Sequence, residues 1–293
     1  MIGKTRQKSA KRPAQKSAKI EERFDAEVGR ARGVLRRQMS GGTMHHSRRK
    51  PARELAGLIA HYWIIDWDLR GCEPHVAESV PHPNVHLVFQ REGSIVCGVQ
   101  THKFSVVLEG KSRVFGVKFR PGGFRPFFNA PVSTLARRIV PANRIFNDAL
   151  KPLERIVLSD CSEKQKVEAA NKLFLDRMPP QDDDALLAGR IADLILNDPE
   201  IKTVDDLARA TALGKRSLQR LFSEYVGASP KWVIRRYRLH ELVEKLNSGA
   251  KLELARLAAD LGYFDQAHLI NDFRAMTGFS PSQYRKIIAN KIS

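Results

Sequence analysis

The sequence has few of the features that mark membrane, secreted or metal-binding proteins. It contains only three cysteines, Cys72, Cys97 and Cys161, without a CxxC pair, which argues against a zinc ribbon or a disulfide framework. No apolar run approaches the roughly 18 residues that span a membrane. Glu21 and Glu22 stand where a secretory signal needs an apolar core. We therefore expect a protein of the reducing cytoplasm, without a membrane partner.

Signatures of catalysis and of cofactor binding are missing as well. The sequence has no GxSxG, no P-loop and no GxGxxG. His82 and His86 have the spacing of a helical metal pair, but Pro81 and Pro83 argue against a helix, and no third ligand is identifiable. We predict no catalytic residue, no metal site and no cofactor. A metal sensor or an enzyme built on the amino-terminal half is kept as an alternative.

Positive charge is abundant but unevenly placed. The net charge is +18, and the first 50 residues alone hold 15 Lys and Arg against 4 Asp and Glu. This segment has few large apolar residues, so we expect residues 1–50 to be a basic, disordered extension, with a short helix around Ile20 to Arg37. Such an arm adds nonspecific phosphate contacts to DNA, or it is an upstream extension of no consequence.

An internal duplication organises the second half of the chain. Five residues of the first copy recur 51 positions later, where Leu218, Phe222, Gly227, Ser229 and Pro230 return as Leu269, Phe273, Gly278, Ser280 and Pro281. The pair Leu207-Ala208 returns as Leu257-Ala258 at an offset of 50, so the second copy has one extra residue at its turn. An offset kept over so many positions indicates one structural unit written twice.

Each copy is typical of two short helices that meet at a tight turn. In the first copy, Thr203 is placed to cap a helix, and Gly214 stands at the turn. The following helix carries an apolar stripe with helical spacing, composed of Leu218, Leu221, Phe222 and Tyr225. Arg216, Gln219 and Arg220 share another face, where their side chains can hydrogen bond to guanine and adenine edges in a major groove. We interpret this as a recognition helix rather than as an ordinary solvated surface.

The second copy lacks the arginines of the first at the aligned positions. We predict base contacts from Lys215, Arg216, Gln219, Arg220, Gln266, Ala267 and Asn271. We predict phosphate contacts from Ser217, Ser223, Arg274, Arg285 and Lys286. The first unit should therefore dominate base readout, and the second should contribute positioning. Asp272 stands where the first copy buries Leu221, and it would be repelled by phosphate if it faced the duplex.

A long helix is predicted between the two units. The segment from Pro230 to Leu246 begins with proline at the first helical position and has no internal breaker. At about 1.5 Å per residue it spans roughly 26 Å, so two recognition helices can reach successive major grooves of one duplex without dimerisation. The binding site should then be asymmetric.

The carboxyl-terminal half resembles the DNA-binding domain of the AraC family of transcription regulators. The residues that carry the resemblance are Ser217 to Phe222, Gly227 to Pro230, Arg238-Leu239, Leu257-Ala258, Leu261 to Tyr263, Phe273-Arg274 and Gly278 to Arg285. The resemblance implies a sequence-specific DNA-binding regulator, with double-stranded DNA and RNA polymerase as partners. A helical module that binds another protein remains the alternative.

The preceding segment, residues 51–178, has the pattern of an α+β domain. Strand-like runs cover 84–90, 94–99, 104–109 and 113–120, helical patterns cover 143–158 and 163–177, and the segment from Arg53 to Trp67 begins helical. Three patches, at 60–63, 81–89 and 116–123, resemble the uncharacterised domain that often precedes AraC-type DNA-binding domains. The resemblance implies effector sensing or dimerisation, hence a small-molecule effector or a homodimer.

Pro179-Pro180 marks the boundary between the α+β domain and the domain that follows it. That second domain should be all-α and occupy residues 182–293, with two helix-turn-helix units and a joining helix.

Overall fold

The computed structural model describes residues 18–29, 35, 39–247 and 253–289, and these residues form a β-rich amino-terminal half and a helical carboxyl-terminal half. The strands are β1 Lys19–Phe24, β2 Thr43–Arg49, β3 Ile59–Asp68, β4 His75–Ser79, β5 His86–Phe89, β6 Ile95–Cys97, β7 Phe104–Leu108, β8 Lys111–Phe119 and β9 Ile139–Pro141. The helices are α1 Asn143–Phe146, α2 Lys151–Val157, α3 Glu163–Asp176, α4 Asp183–Asn197, α5 Val204–Thr211, α6 Lys215–Leu221, α7 Pro230–Asn247, α8 Leu254–Asp260, α9 Gln266–Thr277 and α10 Pro281–Ala289. The predicted fold class, α+β followed by all-α, is confirmed.

Seven strands make one sheet in the order β1-β2-β3-β8-β5-β6-β9, and β4 pairs with β7 in a second, two-stranded sheet. All pairs are antiparallel except β1 with β2. β3 and β8 form the longest pairing at the centre of the sheet. Trp63 on β3 lies opposite Gly116 on β8, and a Cβ at Gly116 would come within 1.9 Å of the indole ring. The glycine is therefore what lets the ring lie across the sheet.

A single apolar core joins the sheet to the helices that follow it. Apolar residues of β3, β5 and β8 such as Tyr62, Leu87 and Phe115 are buried in this core. Helices α2 and α3 pack over them with Leu153, Val157 and Phe174. Phe124 is fully buried there, and Phe127 and Phe128 pack against the same core. The four strands predicted from the sequence correspond to β5, β6, β7 and β8, and the predicted helices correspond to α1 to α3.

The expected disorder of the first 50 residues is wrong for the part that the structure describes. Residues 19–24 are strand β1, not the start of a helix, and residues 43–49 are strand β2. Backbone hydrogen bonds to β3 hold β2 along its full length, and Arg49 pairs with Glu163 at 2.7 Å. Backbone pairing needs no large apolar side chain, so composition alone could not reveal these two strands. Residues 30–34, 36 and 37 of the expected helix lie outside the described residues.

The expected helix after Arg53 is also mostly wrong. A single 3-10 turn, Arg53–Leu55, precedes β3. The run from Ile59 to Trp67 is rich in β-branched and aromatic residues, and it pairs on both sides, with β2 and with β8. Pairing across the sheet therefore outweighs the short helical pattern at Leu55, Leu58 and Ile59. None of the helices in the described ranges is long and apolar enough to cross a membrane.

Candidate nucleic-acid interface

Local capping interactions shape the first pair of helices, α5 and α6. Thr203 Oγ accepts a hydrogen bond from the Asp206 amide at 3.1 Å, and Asp206 accepts one from the Thr203 amide at 2.8 Å. This reciprocal capping box confirms the predicted start of α5. The helix ends at Ala212, which has a left-handed backbone with φ of 54°, and Gly214 precedes α6. The two helices are therefore joined by a turn of three residues.

The inner face of α6 is the predicted apolar stripe. Leu218, Leu221 and Phe222 are buried together with Leu207 of α5, and Tyr225 packs at the edge of the same cluster. Helices α4 and α7 supply the other side of this core through residues such as Ile191 and Val233. A one-turn π-helix, Phe222–Val226, continues α6 and ends at Gly227 in the left-handed conformation.

The outer face of α6 is a ridge of polar side chains, defined here as Lys215, Arg216, Ser217, Gln219 and Arg220, all exposed to solvent. Lys215 pairs with Asp205 at the start of α5 over 2.5 Å. Arg216 and Arg220 have no ion pair or hydrogen bond within the described part of the chain. Two unneutralised guanidinium groups one helical turn apart are therefore available to hydrogen-bond acceptors outside the protein.

The second unit, α8 and α9, repeats this arrangement with a different surface. Asp265 caps α9 through the His268 amide at 2.7 Å, and Leu269, Phe273 and Met276 are buried. Its predicted base-contacting residues, Gln266, Ala267 and Asn271, are exposed. The outward face of α9 therefore offers amide and methyl groups in place of the two arginines.

Asp272 does not stand free on that face. Its carboxylate faces the joining helix α7 and lies 3.6 Å from the guanidinium of Arg235. The ion pair with Arg235 therefore offsets the repulsion between Asp272 and phosphate that the sequence suggested.

The predicted phosphate-contacting residues differ in whether they are free to contact DNA. Ser217, Arg274, Arg285 and Lys286 are exposed on α6, α9 and α10. The Ser223 hydroxyl instead lies 3.1 Å from the Ser133 hydroxyl of the amino-terminal half. A phosphate contact by Ser223 would need this hydrogen bond to be exchanged.

Phe264 is a surface residue that sequence reasoning overlooked. It lies in the turn just before α9, and 93% of it is exposed. An aromatic side chain at this position beside Gln266 offers an apolar contact to a thymine methyl or a sugar. The sequence could have indicated Phe264, because it lies two residues before the predicted base contact Gln266.

The joining helix α7 is more polar inside than the sequence indicated. Its apolar residues are buried, namely Val233, Tyr237, Leu239, Leu242, Val243 and Leu246. Arg236, Arg238 and His240 are buried as well. Arg238 donates to the carbonyl oxygens of Ile195 at 2.9 Å and Ile201 at 3.2 Å, so it ties α7 to the carboxyl end of α4.

The amino-terminal half contacts the first unit beside α6. Arg125 donates to Glu224 at 2.7 Å, and Arg120 pairs with Asp193 of α4. A Cβ at Gly122 would lie 2.3 Å from the Ala185 carbonyl oxygen, so this glycine allows α4 to approach the turn after β8. The exposed ridge on α6 lies outside these contacts.

The histidines considered as metal ligands have structural partners. His82 stacks on His240 of α7 with ring centroids 4.2 Å apart, and His86 lies 3.3 Å from the Trp63 indole nitrogen. Burial lowers the pKa of His86 to about 3, so it stays neutral. Among the described residues no three His, Cys, Asp or Glu side chains are grouped so as to hold a metal ion.

Two family matches cover most of these elements. Residues 207–287 match a family described as a helix-turn-helix domain, and residues 47–141 match a domain of unknown function, DUF6597. The fold thus defines a protein with two helix-turn-helix units behind a β-rich domain.

Curated relatives share the carboxyl-terminal region. A putative AraC-like transcription regulator of Streptomyces antibioticus is 32% identical over 84 residues, which are 29% of this chain and 27% of that protein. An uncharacterized HTH-type transcriptional regulator of Haemophilus influenzae is 29% identical over 86 residues, 29% of this chain and 28% of that protein. The chain thus matches little more than a quarter of the length of either relative. Through this region, the chain is similar to AraC-like transcription regulators.

Solved structures with a similar arrangement include the C-terminal domain of AraT, a response regulator from Geobacillus stearothermophilus. It is 24% identical, covers 33% of this chain and 82% of its own, and superimposes with a TM-score of 0.30.

Proposed function

We propose that the protein is a sequence-specific DNA-binding transcription regulator and that the exposed ridge on α6 reads bases in a major groove. The observation that carries the proposal is the division of α6 into two faces. Leu218, Leu221 and Phe222 are buried, while Arg216, Gln219 and Arg220 are exposed on the other side. Arginine pairs with guanine and glutamine with adenine through two hydrogen bonds each, so this ridge suits base edges.

In this proposal, the second unit mainly positions the protein on the duplex. Gln266, Ala267 and Asn271 of α9 can reach adenine or a thymine methyl, and Ser217, Arg274, Arg285 and Lys286 can contact phosphates. Helix α7 has 18 residues and is therefore about 27 Å long, which suits two helices in successive grooves on one face of a duplex. The site we expect is asymmetric, and one chain is enough to bind it.

The partners follow from the same proposal. Double-stranded DNA is the direct partner, and regulation of transcription implies contact with RNA polymerase. The β-rich domain would then sense a small-molecule effector or mediate a homodimer. We propose no catalytic role for any residue.

The test is binding of the full chain to genomic duplex fragments, followed by footprinting of the bound sites. Because bound phosphates release counterions, the logarithm of the association constant should fall with the logarithm of the salt concentration by about 0.9 per phosphate contacted. Failure to bind any duplex at low salt, together with capture of a protein partner by the same surface, would favour the helical protein-interaction module.

The ranking of the two units is tested on the footprinted site. Arg220→Ala should lower discrimination against a changed base by about 1–3 kcal/mol, and Asn271→Ala should lower it less. Arg190→Ala removes an exposed arginine from α4 and serves as the control for net charge. A larger loss of sequence preference for Asn271→Ala than for Arg220→Ala contradicts the ranking.

A further inference from the structure

A cavity of about 290 Å³ lies between α3 and four neighbouring strands at one side of the large sheet. Residues of β1, β2, β3 and β8 line it from the sheet, and Cys161, Glu163 and Lys166 line it from α3 and the segment before α3. All of its lining residues lie within 21–166, apart from the helix-turn-helix units. The volume is at the small end of sites that hold organic ligands.

Lys166 is a buried lysine without a partner on the wall of this cavity. Only 3% of the residue is exposed. Its Nζ makes no hydrogen bond or ion pair within the described ranges of the chain. Unpartnered nitrogens that are fully enclosed do occur in those ranges, for example Arg236 Nε, but the Lys166 Nζ is not one of them. The exposed part of Lys166 therefore includes the amine, and the amine opens into the cavity.

The position of Lys166 favours the uncharged form of its amine. Burial, and then the charge of Arg113, lowers the pKa of Lys166, while Asp66 acts in the opposite direction. Lys166 also lies close to the start of α3, which begins at Glu163, and there the helix dipole opposes a positive charge. More of this amine is uncharged at neutral pH than in an exposed lysine, and the uncharged amine is the nucleophile.

The other walls indicate what kind of molecule fits. The carboxylates of Glu21, Asp66 and Glu163 line the cavity together with the guanidinium groups of Arg23 and Arg113. Glu21 accepts a hydrogen bond from Arg23 at 2.8 Å, and Asp66 lies 2.9 Å from Arg113. Counted with the lysine, the wall has as many basic as acidic groups while its histidines are uncharged. An anion therefore gains little attraction here, whereas an uncharged polar molecule finds both donors and acceptors.

We propose that this cavity binds small polar aldehydes and that the Lys166 amine condenses with them to an imine. The nitrogen attacks the carbonyl carbon, and one of its protons moves to the carbonyl oxygen. The bond between that carbon and the oxygen then breaks, and the oxygen leaves as water with the second amine proton. No electrons are exchanged with another molecule, and addition of water reverses the reaction.

The Cys161 thiol is a second nucleophile on the same wall. Its Sγ donates to the Ile156 carbonyl oxygen at 3.3 Å. A thiol adds to an aldehyde without loss of water, and a borohydride reductant does not convert that adduct into a stable product. Reduction with borohydride therefore traps the lysine adduct alone.

The trapping test uses the full chain without DNA. The protein is incubated at neutral pH with limiting glycolaldehyde and a borohydride reductant, and the modified lysines are identified by peptide mass mapping. Each trapped site gains the mass of the aldehyde less one oxygen atom. Lys166 should be modified about tenfold or more above Lys164 and Lys172, which are exposed on the same helix. Equal modification of the three lysines overturns the proposal.

Two further aldehydes test the class of ligand. Propanal has the size of glycolaldehyde but lacks its hydroxyl group, and glyoxylate carries a carboxylate. The ratio of modification at Lys166 to that at Lys164 cancels the intrinsic reactivity of each aldehyde. This ratio should be largest for glycolaldehyde. A larger ratio for glyoxylate would show an anion site, a larger ratio for propanal would show an apolar site, and either result overturns the proposal.

The pH dependence of trapping gives a test that needs no variant. An exposed lysine loses its uncharged form as the pH falls below about 10, whereas Lys166 keeps more of it. The ratio of modification at Lys166 to that at Lys164 should therefore rise as the pH is lowered from about 9.5 to about 7. A ratio that stays constant over this interval contradicts the proposed amine.

Variants assign the trapped adduct to one side chain. Lys166→Met should remove the preferred site without lowering the unfolding midpoint, because it removes a buried cation that has no partner. Lys164→Met and Cys161→Ser are the controls and should trap glycolaldehyde at Lys166 as the unchanged protein does. Unchanged total trapping in Lys166→Met overturns the assignment, and so does loss of trapping in Cys161→Ser. Since DNA is absent throughout, failure of duplex binding refutes the regulator and leaves the Lys166 assignment intact.

Discussion

At the scale of single residues, Arg238 links two helices that are remote in sequence. It sits in the middle of α7 and bonds to carbonyl oxygens of Ile195, Asp198 and Ile201, where α4 ends and the chain turns toward α5. The last carbonyls of a helix have no partner within it, so a buried cation there satisfies several groups at once. Arg238 therefore sets how the first unit is attached to the joining helix.

Arg238→Met should be among the most damaging single substitutions in the carboxyl-terminal half. It keeps the volume but removes the guanidinium from the buried Ile195 and Ile201 carbonyls, from the half-buried Asp198 carbonyl and from Glu241, for an expected loss of about 3–5 kcal/mol. Urea unfolding of the full chain measures the loss. Arg190→Met, on the exposed face of α4, should change the stability by less than about 0.5 kcal/mol. A loss below about 1 kcal/mol for Arg238→Met would show that water replaces the guanidinium.

His61 should make the protein less stable in mild acid. Burial, and then the charges of Lys118 and Arg48, hold the pKa of His61 well below its usual range. The unfolded chain takes up a proton on this histidine near pH 6.5, while the folded chain does not. Its contribution to stability is therefore complete above roughly pH 6.5 and is lost as the pH falls below that value.

The free energy of unfolding, followed from about pH 8 to about pH 5, measures this effect. His61→Gln should flatten the decline below about pH 6.5 relative to the unchanged protein. His45, which is half exposed and lies 3.0 Å from Glu21, supplies the control variant His45→Gln. An equal slope in all three proteins would assign the acid sensitivity to other groups.

At the scale of elements, the two helix-turn-helix units are alike in sequence but are held differently. Both end in a glycine with φ of 83°, Gly227 after the π-helical turn and Gly278 after α9. A Cβ at Gly227 would come within 2.9 Å of the Val132 side chain and 3.0 Å of its carbonyl oxygen. At Gly278 the nearest atom is the flexible end of Lys103, at 3.3 Å.

Alanine at these two glycines separates backbone strain from domain packing. Both substitutions should cost about 1–2 kcal/mol, because a side chain disfavours the left-handed conformation. Gly227→Ala should cost roughly 1–3 kcal/mol more, since Val132 belongs to a packed core and cannot move aside freely. Urea unfolding of the two variants gives the comparison, with each serving as the control for the other. Equal losses would mean that the contact at Val132 yields without cost.

Elements were predictable from sequence where the signal was local. The capping residue Thr203, the apolar stripe of α6 and the limits of α3 all follow from spacing within one helix. β2 was not predictable, because its sequence Thr-Met-His-His-Ser-Arg-Arg has no apolar alternation. Its partner β3 holds it through the backbone, and no pattern within β2 encodes that partner.

At the scale of the whole molecule, the amino-terminal half packs against both helix-turn-helix units. Arg125 reaches Glu224 beside α6, and His240 of α7 lies 3.2 Å from the Pro81 carbonyl oxygen. Val80 belongs to the apolar cluster of the second unit. A change in the β-rich domain can therefore be transmitted to either helix-turn-helix unit through direct contacts.

A double-mutant cycle on Arg125 and Glu224 tests whether the two halves unfold together. The pair is half buried, so Arg125→Gln and Glu224→Gln should be coupled by about 0.5–1 kcal/mol in the first unfolding transition. The pair Lys172 and Asp176 lies within α3 and should show about 0.3–0.5 kcal/mol in either case. No coupling at Arg125 and Glu224, with normal coupling in α3, would show that the halves separate before either unfolds.

The sequence by itself determined the duplicated unit, the inner and outer faces of α6, and the β-then-helix order of the chain. These depend on periodicity and on caps within short segments, which a chain carries wherever it packs. Only the tertiary structure decided that Arg236, Arg238 and His240 are buried, that β1 and β2 complete the sheet, and that a cavity lies between α3 and the sheet. Those features depend on which distant surface covers each side chain, and that surface is formed only when the chain has folded.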